Sequence, residues 1–474
     1  SINYQVEHSD GNISQLSRVV QVVDLNYSIV ADEIISFSPN EVMFFESSLS
    51  GLITLEKKSS NEWLFNKYKD YKNLIDPQFS VKFEAPVLKL YECITTKDDG
   101  FIISGIFRGT LEFADNLVLS KGNHELFLMK LDSNFRRIWF KVMSCTSEIE
   151  NISLFDTANG STLIGGSFSG QLFKDSQNWI SQGEKDNFLW YLDLHGNSLW
   201  FKTFGGLGDD QIAGINELNE DIFIAATNTT KSEHSPYGTL VKFDSDGTII
   251  DGTSFSQLNP NSISSINVRD GNIILSGKFE DELDLNGDEL KTQNPLGSSF
   301  VCSLDSDFNL NWGNSFESTD GTEIVDLKIG SFGCPYVLLN YIGNSITGSG
   351  LDSYTSLGGS DLLVFKLDND SGNVIWQKPI ASTSDDIGMK IVTDEFGMLL
   401  VGVNLQTPFS LDGKTINHGN QFLFKLESSY WGKPAFRNVD NLDLAENHFF
   451  QQHIQAITPS FSRIHLLDSP DWME

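Results

Sequence analysis

Nowhere does the chain approach the roughly 18–20 consecutive apolar residues that a membrane-spanning helix needs. It is also poor in cations: Lys plus Arg number 32 against 64 Asp plus Glu, a formal charge of −32. Binding a phosphate backbone requires a basic surface, so nucleic acid is excluded as a partner class. Attraction to anionic lipid headgroups is disfavoured on the same ground. Only four cysteines occur in 474 residues, Cys93, Cys145, Cys302 and Cys334, and no two have C-x-x-C spacing. That excludes a disulfide scaffold and a thiolate metal motif. Free structural thiols are expected, with a Cys302–Cys334 or Cys93–Cys145 bridge as the sharper alternative. Motifs of chemistry are missing too. The nearest string to a nucleophile elbow, Gly166 to Gly170, carries Phe168 at its centre, and there is neither a P-loop nor a G-x-G-x-x-G cradle.

Aromatic residues and glycine are abundant instead: 35 Phe, 9 Trp, 11 Tyr and 39 Gly. So many aromatics exclude disorder, and with 39% hydrophobic residues a sizeable core is assured. Phe and Gly in excess, without the Ala, Glu and Lys of long helices, predict an all-β chain of short strands and turns.

Self-similarity organises that chain. An apolar strand ends in an acidic residue, a turn follows, and a second strand often brings a Trp. The phrase occurs as Leu52–Glu56 with Trp63, Leu126–Asp132 with Trp139, and Phe188–Asp193 with Trp200. It returns as Leu240–Asp244, Phe300–Asp305 with Trp312, Leu363–Asp368 with Trp376, and Phe422–Glu427 with Trp431. A fainter copy opens the chain at Tyr4–Glu7. The acidic markers, from Glu7 to Glu427, recur about every 60 residues. A second phrase alternates with the first, a hairpin with a small-residue bend, as in Asp99–Gly109, Asn159–Gly170 and Asp270–Phe279. Its Asp-Gly and Asn-Gly pairs supply the positive φ of tight turns. Each unit is therefore two hairpins, or four antiparallel strands: one blade of a β-propeller. A blade cannot bury its faces alone, so the repeated Phe and Trp are expected to be the packing layer between blades.

Eight such units account for the length, seven if the N-terminal copy is not one. Residues 4–20 have the pattern of a second hairpin without a first. Residues 454–467 have that of a first without a second. The expectation is one propeller domain over 1–474, closed by a composite blade of about 1–25 and 440–474, because pairing the ends removes two exposed sheet edges. Uneven marker spacing places an insertion at Phe65–Val87, rich in Lys, Tyr and Asn, as a candidate partner-binding loop.

The unit resembles the bacterial β-propeller repeat family of exported Gly/Asp/Trp-motif propellers, with a Bacteroidetes-like composition. The strongest matches are Gly358–Asp361 through Trp376 to Asp385-Asp386, and Gly183–Asp186 through Trp200 to Asp209-Asp210. The resemblance implies a fold and a compartment, the periplasm or cell surface after removal of a signal peptide. It implies no activity, since propellers serve unrelated tasks.

Candidate chemistry is sparse. His8 and His195 fall in hairpin turns, and His124, His234 and His418 in connections. His448 and His453 are five apart in an expected strand and point to opposite faces. Asp244-Ser-Asp246, Asp305-Ser-Asp307 and Asp368-Asn-Asp370 offer alternating oxygens to calcium, but lack the distal Glu of a full loop and suit plain turns equally. The pairs Asp209-Asp210 and Asp385-Asp386 should lead into innermost strands near the channel mouth, where paired carboxylates suit glycoside chemistry. The balance favours no catalytic residue, no cofactor and no metal. The expected function is a non-catalytic protein–protein interaction subunit of the envelope, within a secretion or outer-membrane assembly. The alternatives are a propeller glycoside hydrolase or lyase and a calcium-dependent carbohydrate-binding module.

Overall fold

The computed structural model describes residues 2–7, 13–20, 29–37, 42–47, 51–67, 79–113, 116–120, 124–229, 236–255, 262–285, 288–330, 333–343, 346–348, 350–393, 399–405, 409–411, 414–416, 421–428 and 464–465. Alternation of apolar and polar residues, punctuated by Asp-Gly and Asn-Gly turns, produces strands and no helix among them. No helix of the described residues is long and apolar enough to cross a membrane.

The strands form antiparallel sheets whose members follow chain order. Sheet A holds Val42–Ser47, Gly51–Ser59, Glu62–Lys67 and Phe79–Glu84. Sheet B holds Val87–Thr95, Phe101–Arg108, His124–Leu131 and Arg137–Cys145. Sheet C holds Ile149–Asp156, Thr162–Phe168, Asp186–Leu192 and Ser198–Phe204. Sheet D holds Gln211–Leu218, Asp221–Thr229, Pro236–Phe243 and Ile249–Phe255. Sheet E holds Ser262–Arg269, Asn272–Phe279, Ser298–Leu304 and Leu310–Glu317. Sheet F holds Thr322–Ile329, Pro335–Ile342, Ser360–Leu367 and Val374–Ile380. Sheet G holds Ile387–Thr393, Leu399–Asn404 and Gln421–Ser428, and its fourth strand comes from the other end of the chain, Ile29–Phe37.

First strands of successive sheets lie against one another from A to G, and that of G lies against that of A. Four-stranded antiparallel sheets standing side by side about an axis are a β-propeller. Against the expected eight blades, the described residues hold seven sheets with a core of four strands, two of them widened to six strands and one to five, besides a sheet of three strands and two separate two-stranded hairpins. The three-stranded sheet joins Ile2–Glu7 to Ile13–Val20 and Ile13–Val20 to Ile464–His465, with Val19 opposite His465 and Val20 opposite Ile464. The ends of the chain thus meet twice, there and in sheet G. The second meeting had no counterpart in the sequence pattern, because Ile29–Phe37 pairs with a strand almost four hundred residues away.

Two devices hold neighbouring sheets together. Fully buried aromatics form the layer between them: Trp63, Phe65 and Phe83 of A pack with Phe101, Phe107 and Phe127 of B in one core cluster. The Trp of a fourth strand also reaches the next sheet's turn. Trp200 Nε1 donates to the Ser245 carbonyl at 2.9 Å and Trp312 Nε1 to the Asn369 carbonyl at 2.8 Å. Gly372 sits against Trp312 with φ +70°, and a β-carbon there would come within 2.4 Å of the indole. This is why the repeat wants Gly in that turn and Trp one blade earlier.

Small hairpins in the second-to-third connections are the other device. Thr110–Phe113 with Asn116–Leu119, emerging from sheet B, adds onto the outer strand of sheet A. Gln171–Lys174 with Gln177–Ile180, from sheet C, adds likewise onto sheet B. Both sheets become six strands wide. Within Phe65–Val87, residues 65–67 end the third strand of sheet A, Phe79–Glu84 is its fourth, and Val87 opens sheet B; 68–78 lie outside the described residues.

All four cysteines are free and buried, so neither candidate disulfide forms. Burial pushes the Cys302 thiol up to about 12 and raises those of Cys93, Cys145 and Cys334, which leaves them unreactive.

Candidate functional site

The paired acids at the channel mouth come first. Asp210 and Asp386 stand directly before the first strands of sheets D and G, as their positions in the repeat require. Each meets the acid that opens a third strand in the preceding sheet, Asp186 in C and Asp361 in F, and all four are buried. A β-carbon on Gly205 would lie 2.7 Å from Asp186 Oδ1 and 2.8 Å from Asp210 Oδ2, so both carboxyls crowd one glycine. Asp186 accepts from Gln182 N at 3.1 Å and Asp210 from Gly206 N at 2.6 Å. In sheet F the Leu357 N donates to Asp361 at 2.5 Å, and Asp386 accepts from the Ser382 amide and, at 2.7 Å, from its hydroxyl. Each pair therefore ties together the two connections that reach this face of the propeller.

Burial first, and then the neighbouring Asp386, pushes the Asp361 carboxyl up to about 6. The same pair, added to its own burial, raises the Tyr341 hydroxyl. The outer members of the two Asp-Asp doublets do different work. Asp209 lies 3.9 Å from Lys185 Nζ, and Lys185 also pairs with Glu150. Asp385 accepts from Ser360 N at 3.2 Å. The acids expected to converge on an open mouth are instead bonded to backbone amides and a lysine, a geometry that fastens loops.

A second set of charges lines the axis. Register shifts mark the first strands of six sheets, at Leu90/Glu92, Glu150/Ser153, Ile212/Gly214, Ile263/Ser265, Ile324/Asp326 and Gly388/Lys390. On such an edge strand an amide facing away from the second strand has no partner in the ladder. A carboxylate of the neighbouring blade satisfies it: Glu92 accepts from Leu154 N at 2.6 Å and Asp326 from Ile391 N at 2.9 Å. Lys390 lies 3.6 Å from Asp326, which raises its ammonium pKa. Burial raises the Glu92 carboxyl, while Lys390 and Lys328 oppose that rise. Nothing in the sequence singled out Glu92 and Asp326, because an acid at a register shift looks like any other strand acid.

The turn aspartates that might have held calcium cap their own turns. Asp244 Oδ1 accepts from Asp246 N at 3.0 Å and Thr248 N at 2.7 Å, and Asp305 Oδ1 from Asp307 N and Asn309 N, both at 2.9 Å. Asp368 Oδ1 does the same for Asp370 N at 3.2 Å and Ser371 N at 3.0 Å. Among the described residues, no three His, Cys, Asp or Glu side chains gather as a metal would need. The His195 amide donates to Asp193 within such a turn. His8, His234, His418, His448 and His453 lie outside the described residues, as does the side chain of His124.

The rim is where apolar side chains meet water. Leu117 and Leu119 are 70% and 72% exposed on the outermost strand of the widened sheet A, and Ile180 is 67% exposed on that of sheet B. Ile249 and Ile250 are exposed on the fourth strand of sheet D.

No family model matches the chain, and no curated protein matches it. Among solved structures it is similar to the Dos1 propeller, at 10% identity over 84% of this chain and 95% of that one, with TM-score 0.42. It is also similar to Drosophila semaphorin 2a, at 8% identity over 78% and 74%, with TM-score 0.42. A third is the quinohemoprotein alcohol dehydrogenase from Comamonas testosteroni, at 8% identity over 90% and 81%, with TM-score 0.39. Likenesses at these scores carry no argument for this chain. Its own sheets and their succession define it as a β-propeller.

Proposed function

We propose that the protein is a non-catalytic protein–protein interaction subunit of the bacterial cell envelope, working in the periplasm or at the cell surface within a secretion or outer-membrane assembly. One observation carries the interaction role: apolar side chains stand exposed on the outermost strands of widened sheets, at Leu117, Leu119 and Ile180. Exposed leucine and isoleucine on sheet edges are a solubility liability unless something covers them. The formal charge of −32 favours a basic or polar partner. The structural tasks of Asp210, Asp361 and Asp386 weigh against a glycosidase, since an acid bonded to backbone amides is not aimed at a sugar.

The test is affinity capture from native envelopes with the whole protein as bait, followed by mass spectrometry. The expected outcome is one stoichiometric partner retained at physiological salt. Glycan cleavage that disappears in Asp209→Asn or Asp385→Asn would replace this proposal with a hydrolase or lyase. A melting temperature lowered by EDTA would point to the calcium-dependent carbohydrate module.

A further inference from the structure

The outer part of sheet A carries an unusual cross-strand row. Glu62 stands opposite Glu84, Glu84 opposite Glu112, and Glu112 opposite Leu117. Residues directly opposite one another share a face, so three carboxylates and a leucine run side by side across four strands. On the other face Trp63, Phe83 and Phe113 form the matching row and are buried. Like charges directly opposite each other are unfavourable. One cation sits among them: Lys82 Nζ lies 2.6 Å from Glu84, and its pKa is raised by Glu84 first and also by Glu62 and Glu112. Beyond the row lies Asn116–Leu119, the last strand of the sheet, whose outer edge pairs with nothing among the described residues. Leu117 and Leu119 project from that strand on the carboxylate face.

We propose that this edge docks an extended, basic segment of a partner protein, which adds as an antiparallel strand beside Asn116–Leu119. The proposal rests on the interaction function above and deepens it. Backbone hydrogen bonds to the open edge hold the strand, and alternate side chains read the face. A Lys or Arg opposite Leu117 lays its methylenes over that leucine and carries its charged head toward Glu112. A second Lys or Arg two positions along lays its methylenes over Leu119 in the same way. The carboxylates give the electrostatic half of the match, since an added cation relieves the repulsion within the row. They also disfavour a second copy of this chain, because pairing two such edges would bring two glutamate rows to one face.

The experiment uses the full chain and three fluorescent, end-blocked peptides: Lys-Val-Lys-Val-Lys-Val-Lys, its Glu-for-Lys counterpart, and a version with proline for the central valine. Fluorescence anisotropy is read at physiological salt. The lysine peptide should bind, the proline peptide at least tenfold more weakly for want of backbone pairing, and the glutamate peptide not at all. The double variant Glu84→Gln/Glu112→Gln should weaken the lysine peptide at least tenfold while its melting temperature stays at or above that of the unaltered protein. Equal binding of the proline peptide, or undiminished binding by the double variant, overturns the proposal and leaves only diffuse attraction to an acidic protein. Concentration-dependent dimerisation that Leu117→Lys abolishes overturns it in favour of self-association. Envelope capture separates the two claims: a partner held equally well by the double variant leaves the interaction role standing and removes this site.

Discussion

Asp361 shows what a motif residue does once it is buried. Burial disfavours its charged form, and Asp386 beside it adds a second negative charge to the same space, so the carboxyl holds a proton that an isolated aspartate would release. Its pKa of about 6 lies above the ordinary aspartate value, so between roughly pH 4 and 6 the folded state binds more protons than the unfolded one. This site therefore favours folding most at low pH, and the contribution is lost as pH rises through about 6. Asp361→Asn keeps an acceptor for Leu357 N and removes the charge. Thermal melts from pH 4 to 8 should show the variant more stable than the unaltered protein at pH 8, by roughly 1–3 kcal/mol, with the gap closing toward pH 4. A gap independent of pH would mean that the pair does not share a proton. The acids themselves were plain in the repeated Gly-x-x-Asp and Asp-Asp strings. Their partners were not, since Asp186 meets Asp210, and Asp361 meets Asp386, only when two connections fold onto one face.

Among elements, the bulged first strand is the unit that decides how blades join. Just past the register shift between Glu150 and Ser153, the Leu154 amide is taken up by Glu92 of the preceding sheet at 2.6 Å. Burial raises the Glu92 carboxyl, so a neutral acceptor should serve nearly as well as a charged one. Glu92→Leu would leave the amide without its acceptor and should lower stability by about 1–3 kcal/mol in urea titrations. Glu92→Gln, which keeps an oxygen there, should cost less than half as much. If both variants lost the same amount, packing rather than this hydrogen bond would be the cause. Strands and turns were legible in advance because their signals are local: apolar alternation, Asp-Gly turns, and a Trp after most acidic markers. The hairpin Thr110–Phe113 with Asn116–Leu119 and its glutamate neighbours were not. The register that aligns Glu62, Glu84 and Glu112 joins segments up to fifty residues apart, and no single segment contains it.

At the scale of the whole molecule, the chain's two ends are drawn together. Sheet G has three strands of its own and takes Ile29–Phe37 as its fourth, with Phe37 opposite Gln421 and Ile29 opposite Ser428. A chain lacking residues 1–37 would leave Gln421–Ser428 as an open edge. It should melt at lower temperature and aggregate on standing, read by scanning calorimetry and light scattering. Supplying residues 29–37 as a separate peptide should restore part of the loss, and no effect of truncation would show that this strand adds nothing to closure. Composition and a repeat of about 60 residues determined by themselves that this is an all-β propeller, because each repeat carries its own turn chemistry and its own unpaired apolar faces. Only the tertiary structure decided which acids meet, which first-strand amides the neighbouring blades take up, where the ends pair and which leucines remain in water. Those outcomes depend on register and closure between segments far apart in the chain, and an exposed leucine is indistinguishable from a buried one until the sheet beside it is in place.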